Sequence, residues 1–497
     1  MKFTRTLTIL LAAAVMLSVS CNKENIVETP LQDTIVKTVT FNDEIWAPQD
    51  VKSEFQENVG VKLTGKENIS IYYADHAKLE TQEYPSYVIP FKDIQKVGDK
   101  YTFTHPAIPD ATAYDYYFFM PSLSTSAKGN NNKDVITFAN LFYVQRPVKN
   151  SLGEDSYDAS YDLLVGQPVM NVAPETSEFT VQSFKRQSAP LRLTIKDSRN
   201  LLGGEAIQAV TLFFGQKPNQ NNALSGAFSI KHSVVYKDCK IIGVGSNTIC
   251  NGLTALYKDG LAQVGDGYPV WLMAKPFLNL AGGFSQFPGN SDCRLIVTTK
   301  TKTIVREMKV PTGGVSVYPD KINTLTIDVS KTENAVAKES VYFDFSDRSM
   351  TLASLNKMMA SDGNKYDLKP ENLTFWNDFD KEYDQILPQG LRMSNNKDGA
   401  EGKAGAFTII PVNGKEIAKL RIYAHPRNLW ANTNPLKVTY GTTSVNVDFA
   451  TKGANITSTG GYAEVVIPND ATGAVTISTD LKARNNYVIS GVVVEYR

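Results

Sequence analysis

Histidine and cysteine are scarce in this chain, with four of each among 497 residues. His76, His105, His232 and His425 lie far apart, and none stands in the HExxH spacing that sets two imidazoles on one helix face. Histidine is the side chain that titrates near neutrality, so four scattered copies leave few general bases to place. The chain also lacks a G-x-S-x-G elbow, a P-loop and a G-x-G-x-x-G turn. Gly243-Val-Gly245 is a fragment of such a glycine pattern, and a hairpin turn explains it. Net charge is missing too, because 51 lysines and arginines balance 51 aspartates and glutamates. No field of one sign therefore draws nucleic acid or an anionic membrane. These absences predict a protein that is not an enzyme, binds no nucleic acid and needs no cofactor. Carboxylates are plentiful, but a glycosidase pair is set by separation in space, which sequence does not give.

A second long apolar run is also absent. The single one, residues 7–19, follows Lys2 and Arg5 and ends at the small Ser20 before Cys21. That layout predicts a secretory signal peptide over 1–20, cut so that Cys21 becomes the N-terminus. The run is too short to span a bilayer as a helix. Acyl chains on Cys21 would hold the protein at the outer membrane by burying many CH₂ groups. The other reading is a secreted protein in which Cys21 is incidental. Residues 21–35 are polar and predict a tether. Of the remaining cysteines, Cys239 and Cys250 stand close enough to bridge a hairpin in an oxidising compartment. Small buried hydrophobes are the alternative reading of the same pair.

What the chain has in abundance is alternation with period two. Leu191, Leu193 and Ile195 alternate with Arg192, Thr194 and Lys196. Val210, Leu212 and Phe214 repeat the pattern, as do Leu420, Ile422 and Ala424, then Val445, Val447 and Phe449. Such runs between Gly, Asn, Asp and Pro read as half-buried strands joined by turns. Helical periodicity is confined to residues 351–359, with Ser349 as a cap, and 161–164. The expectation is an all-β chain of sandwiches. Residues 122–133 read as an exposed loop and 171–178 as a connector, giving units over 36–175 and 176–330. A polar, alanine-containing break at 331–340 reads as a linker. Val341-Tyr-Phe-Asp-Phe345 then opens a last unit over 341–497.

Residues 36 to 330 resemble the fimbrillin family, the pilus subunits of Bacteroides-type bacteria. The carriers are Val39-Thr-Phe41, Ile69-Ser-Ile-Tyr-Tyr73, Tyr161-Asp-Leu-Leu-Val165, Phe179 to Phe184, Leu191-Arg-Leu-Thr-Ile195, Tyr268-Pro-Val-Trp271 and Tyr318 to Val329, in that order. Asn22-Lys-Glu-Asn25 likewise resembles the tether of surface-exported lipoproteins in that group. The resemblance implies two tandem transthyretin-like sandwiches and an assembly route. In that route proteolysis removes the N-terminal strand of a lipoprotein precursor, and a C-terminal strand from another subunit fills the groove. Strand addition supplies backbone hydrogen bonds and apolar side chains to an edge that is costly while empty.

Two departures bear on function. No arginine lies between Arg5 and Arg146, and Arg146 precedes Pro147, a poor bond for cleavage. Lys37 and Lys52 are the basic residues left for processing, and the anchored, uncut form is the other candidate for the working one. At the far end, the chain continues where a donor strand would stand. It closes on Tyr487-Val-Ile-Ser-Gly-Val-Val-Val-Glu-Tyr-Arg497, an alternating strand with no spare tail. A subunit that accepts a strand and gives none would occupy the tip of a fimbrium.

Residues 341–497 resemble galactose-binding-like jelly-roll sandwiches through Phe343-Asp-Phe345, Leu387-Pro-Gln-Gly-Leu-Arg-Met393 and the closing strand. Sugar recognition needs an aromatic face and planar hydrogen-bonding groups. His425-Pro-Arg427-Asn-Leu-Trp430-Ala-Asn432 offers both in one turn-rich stretch, with Trp376 and Arg392 in two others. Trp376 also reads as core, since it follows Leu373 and Phe375. Asp362, Asn364 and Asp367 present oxygens at near-alternating positions, as a structural Ca²⁺ loop or a solvated turn would. The expected partners are other fimbrial subunits, a host or bacterial surface glycan or protein, and the outer membrane. The alternative function is a glycan-binding lipoprotein of a polysaccharide utilisation system.

Overall fold

The computed structural model describes residues 34–41, 69–78, 87–89, 94–98, 100–120, 135–141, 144–149, 153–158, 161–162, 164–182, 184–214, 224, 226–231, 241–244, 251–275, 286–319, 321–345, 355, 360, 368, 374–376, 390–393, 405–411, 414–426, 436–447, 456–458, 462–479 and 487–497. The chain is all-β, built as successive pairs of facing sheets. Alternation is the cause: an apolar residue at every second position gives each strand one face to bury. Of the two expected helices, Leu355 is helical within the described residues. The other is corrected at its far end: Tyr161 lies in a tight helical turn, its N–H donating to Asp158 O at 3.1 Å, but Leu164 opens the strand Leu164–Gly166, paired on both sides. A single turn of helix fixes several dihedrals for one hydrogen bond and yields to a sheet that offers two ladders.

In the first unit, one sheet runs in the order Glu178–Val181, Thr34–Phe41, Lys100–Pro106, Ile94–Val97. The facing sheet runs Phe184–Arg186, Leu164–Gly166, Tyr114–Met120, Ser70–Asp75, Tyr87–Ile89, with Val169–Val172 also on Tyr114–Met120. Between them lies an aromatic core that includes Phe41, Tyr101, Phe103, Tyr116, Phe118 and Phe184. The unit therefore extends through Arg186 and does not end at residue 175. The stretch 171–178, expected as a connector, instead joins two strands of this unit. Val181 and Phe184 bury in its core and Phe179 packs against it, which leaves residues 173–177 as a turn between the two strands.

The second unit sets Tyr268–Ala274, Ala189–Lys196 and Asn323–Asp328 against Gly252–Leu261, Ile207–Phe214, Asp292–Thr299 and Lys302–Lys309. Leu191, Leu193, Ile195, Val210, Leu212 and Phe214 all bury in its core, as their alternation requires. A segment of the first unit crosses over to it. Val144–Gln145 pairs in parallel with Thr254 and Ala255, and Gln145 exchanges hydrogen bonds with the backbone of Met273.

The third unit has one sheet of Ala406–Ile409, Val475–Ser478, Leu436–Tyr440 and Thr443–Val447. Its other sheet orders Ile456–Ser458, Tyr462–Val466, Ile417–Pro426, Tyr487–Tyr496 and Ala337–Asp344. The strand Ala337–Asp344 bridges two units. Its first residues, Ala337 to Glu339, pair with Ile304 to Lys302, and Ser340 to Asp344 pair with Glu495 to Gly491. The expected linker 331–340 thus ends as strand, and one sheet continues from the second unit into the third. A second apolar layer seals the junction: Ala209, Phe213, Leu256 and Ile296 meet Tyr342, Tyr423, Tyr462 and Val493.

Candidate functional site

Three features describe the chain's two end strands: the seat of the N-terminal strand, the residues that hold that strand, and the pairing of the last strand. The N-terminal strand Thr34–Phe41 is antiparallel to Lys100–Pro106 from Thr34 opposite Pro106 to Thr40 opposite Lys100. Its other edge is parallel to Glu178–Val181, from Thr38 opposite Glu178 to Phe41 opposite Val181. It is a middle strand, paired on both sides. Its side chains alternate as the sequence predicts: Lys37, Val39 and Phe41 are buried, while Val36 points to solvent.

Phe41 anchors the strand. Its ring centre lies 4.9 Å from that of Tyr101, 5.4 Å from Phe184 and 5.6 Å from Phe118, in tilted or edge-on contacts that suit aromatic quadrupoles. Full burial of an apolar side chain of this kind is worth about 1.5–3 kcal/mol. Phe41→Ala should destabilise the first unit by about 3 kcal/mol, the low end for aromatic truncation in a core. The check is limited proteolysis with fragment mapping, in which the first unit becomes labile while fragments of the third unit persist.

Lys37 is the unexpected member. No solvent reaches its side chain, and its ammonium donates to the carbonyls of Ala173 at 3.0 Å, Pro174 at 2.8 Å and Thr176. Burial pushes its pKa down, opposed by the nearby Glu175 carboxylate. His105, opposite Ile35, is pushed down to about 4 by burial against a weaker upward pull from the Pro106 carbonyl. It stays neutral at physiological pH, donating from Nδ1 to Pro106 O and accepting at Nε2 from the Tyr116 hydroxyl, both 2.9 Å. As a processing point Lys37 sits inside a doubly paired strand, so a protease that cuts there must first pull the strand out. Lys52 lies outside the described residues.

The last strand, Tyr487–Tyr496, is equally enclosed. Ile417–Pro426 pairs along one side, from Ile417 opposite Tyr496 to Pro426 opposite Tyr487. Ala337–Asp344 and Gly390–Arg392 share the other. Residues 488–496 are all buried.

Of the expected ligand contacts, the structure brings two strand positions together, with a third on the next strand. His425 and Arg392 stand opposite Val488 from its two sides, and Thr374, two residues before Trp376, stands opposite Arg392. Arg427, Trp430 and Asn432, the Ca²⁺ candidates Asp362, Asn364 and Asp367, the pair Cys239 and Cys250, and the lipidation candidate Cys21 lie outside the described residues. Among the described residues, no three His, Cys, Asp or Glu side chains converge to hold a metal ion. Cys293 is buried and free, and burial pushes its thiol up to about 12, with Glu307 adding to the rise.

The second and third units also share a charged cluster that sequence reading missed. Arg421 is fully enclosed and donates to Glu464 at 2.6 and 2.9 Å and to Glu495 at 2.8 Å. Arg294 of the second unit reaches Glu464 at 3.0 Å. The available signal was Tyr342 and Tyr423 on strand positions that alternation assigns to the outer face. Aromatics there mark a second buried surface.

No protein-family model matches this chain, and no curated protein sequence does. Solved structures align with part of this chain at low similarity. A candidate cell adhesion protein of Bacteroides ovatus is 11% identical, with a TM-score of 0.33 over 62% of this chain and 96% of its own. A second candidate cell adhesion protein, from Bacteroides fragilis, is 11% identical, with a TM-score of 0.32 over 61% of this chain and 96% of its own. A fimbrial protein of Bacteroides ovatus is 10% identical, with a TM-score of 0.25 over 64% of this chain and 59% of its own.

Proposed function

We propose that this protein is a non-catalytic cell-surface subunit of a fimbrium, at the tip or an accessory position, that accepts a strand from the next subunit and keeps its strand Tyr487–Tyr496 within its own third unit. The observation that carries this reading is the contrast between the chain's two end strands. The N-terminal strand fills a seat whose two edges are backbone ladders and whose floor is an aromatic core. Release of that strand would leave unpaired N–H and C=O groups and an apolar slot, which an incoming strand can satisfy. The C-terminal strand is held on both sides by its own unit and supports that unit's core through Ile489, Val492 and Val494. It has no freedom to serve a neighbour.

In this reading Cys21 carries the lipid anchor of the precursor, and the third unit presents the ligand surface. Trp430 would stack on a sugar ring, with Arg427, Asn432, His425, Trp376 and Arg392 around it, and Lys52 would mark the cut. The test is mass spectrometry of the protein recovered from sheared surface filaments. The expected N-terminus falls after Phe41 and before Ile69, with a fimbrial subunit cross-linked at the first unit. Recovery only as an uncut, acylated monomer holding a polysaccharide would overturn the proposal in favour of glycan capture.

A further inference from the structure

We infer that the strand donated to this protein carries a lysine at the level of Lys37, and that three backbone carbonyls over the seat select the donor and fix its register. The inference rests on the strand-accepting reading above. Its basis is the turn between Val169–Val172 and Glu178–Val181. There the carbonyls of Ala173, Pro174 and Thr176 converge on one ammonium. The Glu175 carboxylate adds a field that favours a cation. Immediately after it, the parallel ladder begins, with the Thr38 N–H donating to Ser177 O at 2.8 Å. That ladder bond is blind to sequence. The carbonyl cluster is not.

Register is where the cluster matters. A slip of one residue turns the apolar set to solvent and is rejected by the core alone. A slip of two residues keeps Ile35, Val39 and Phe41 facing inward, so apolar packing discriminates against it only through shape. The carbonyl cluster removes the ambiguity. A two-residue slip brings Ile35 or Val39 under it, where methyl groups leave the carbonyl oxygens without that donor, and moves the Lys37 ammonium into the core position of Val39 or to that of Ile35. Both changes cost free energy: the first forfeits three hydrogen bonds from a charged donor, and the second buries a charge without a partner.

The same chemistry says where the donor comes from. The chain's own closing strand, residues 487–497, contains no lysine and is enclosed in its sheet. The closing strand of another copy therefore lacks the lysine that this seat accepts. The occupant is a strand of another subunit with the pattern Lys-x-apolar-x-aromatic that Lys37, Val39 and Phe41 display.

The experiment uses the full chain with a protease site engineered between Phe41 and Ile69. After cleavage, mild urea exchanges the nicked strand for fluorescent peptides of the sequence Thr34–Phe41, and dissociation is followed by anisotropy. The native peptide should seat. A Lys37→Met peptide should leave about tenfold faster, and a Lys37→Glu peptide about a hundredfold faster, since a carboxylate meets carbonyl oxygens with no donor. Equal retention of all three peptides would overturn the cation requirement and leave strand acceptance standing. Failure of even the native peptide to re-enter would overturn strand acceptance itself, and this inference with it.

Discussion

Arg421→Met should cost the protein about 4 kcal/mol at neutral pH, the scale seen when one partner of a buried ion pair is removed. The loss does not come from one weak contact. Arg421 lies under no solvent and holds Glu464 and Glu495 together. Methionine fills much of the same volume but leaves two buried carboxylates without the cation between them. The pH dependence identifies the cause. Burial on its own pushes Glu464 up, yet Arg421, Lys419 and Arg294 together hold it down to about 2. A carboxylate depressed on folding stabilises fully above its unfolded pKa and loses that contribution as the solution is acidified toward its folded value. For Glu464 the window runs from the unperturbed 4.5 down to about 2. Urea titrations across that window should show the gap between native protein and Arg421→Met narrowing as pH falls. A gap that stays constant would mean that the arginine acts through packing alone. Because Arg294 belongs to the second unit and Glu464 to the third, the variant should also loosen the junction, seen as faster hydrogen exchange in residues 337–344.

Much of the fold could be read from alternation. Leu191 to Ile195 and Leu420 to Ala424 face their cores as their spacing demands. What the pattern cannot reveal is a strand buried on both faces. Tyr342, Tyr423, Tyr462 and Val493 occupy the supposed outer side and are covered by the second unit, so a sheet that looked terminal runs on through Ala337–Asp344. The boundary near residue 175 failed for a related reason. Composition marks a turn between Val172 and Glu178, but only pairing tells that Glu178–Val181 returns to the first sheet. Lys37 was visible as a basic residue, and its parity with Ile35, Val39 and Phe41 already set it inward. The carbonyls that receive it are far away in sequence, and no local signal announces them.

Ending the chain at Asn486 should unfold the third unit outright. The missing residues form a central strand, so their loss opens two ladders at once, against Ile417–Pro426 and against Ala337–Asp344. No neighbouring strand can slide in. Gly491 lies where an added Cβ would sit 2.7 Å from the Tyr342 ring, a closeness of packing specific to this strand. Ile489, Val492 and Val494 leave the core with it, at about 1.5–3 kcal/mol for each buried side chain, and Val493 leaves the junction with the second unit. Summed with the lost pairing, this is comparable to the whole stability of a typical domain. Limited proteolysis should therefore lose every resistant fragment from 341–486, while the first unit, which shares no pairing with the deleted strand, still yields one. A donor tail behaves in the opposite way: it belongs to the neighbour's fold, and its removal blocks assembly and leaves its own subunit folded. If the truncated chain kept its protease-resistant third unit and lost only attachment to other subunits, its last strand would be a donor, and the protein would belong inside a fimbrium and not at its end.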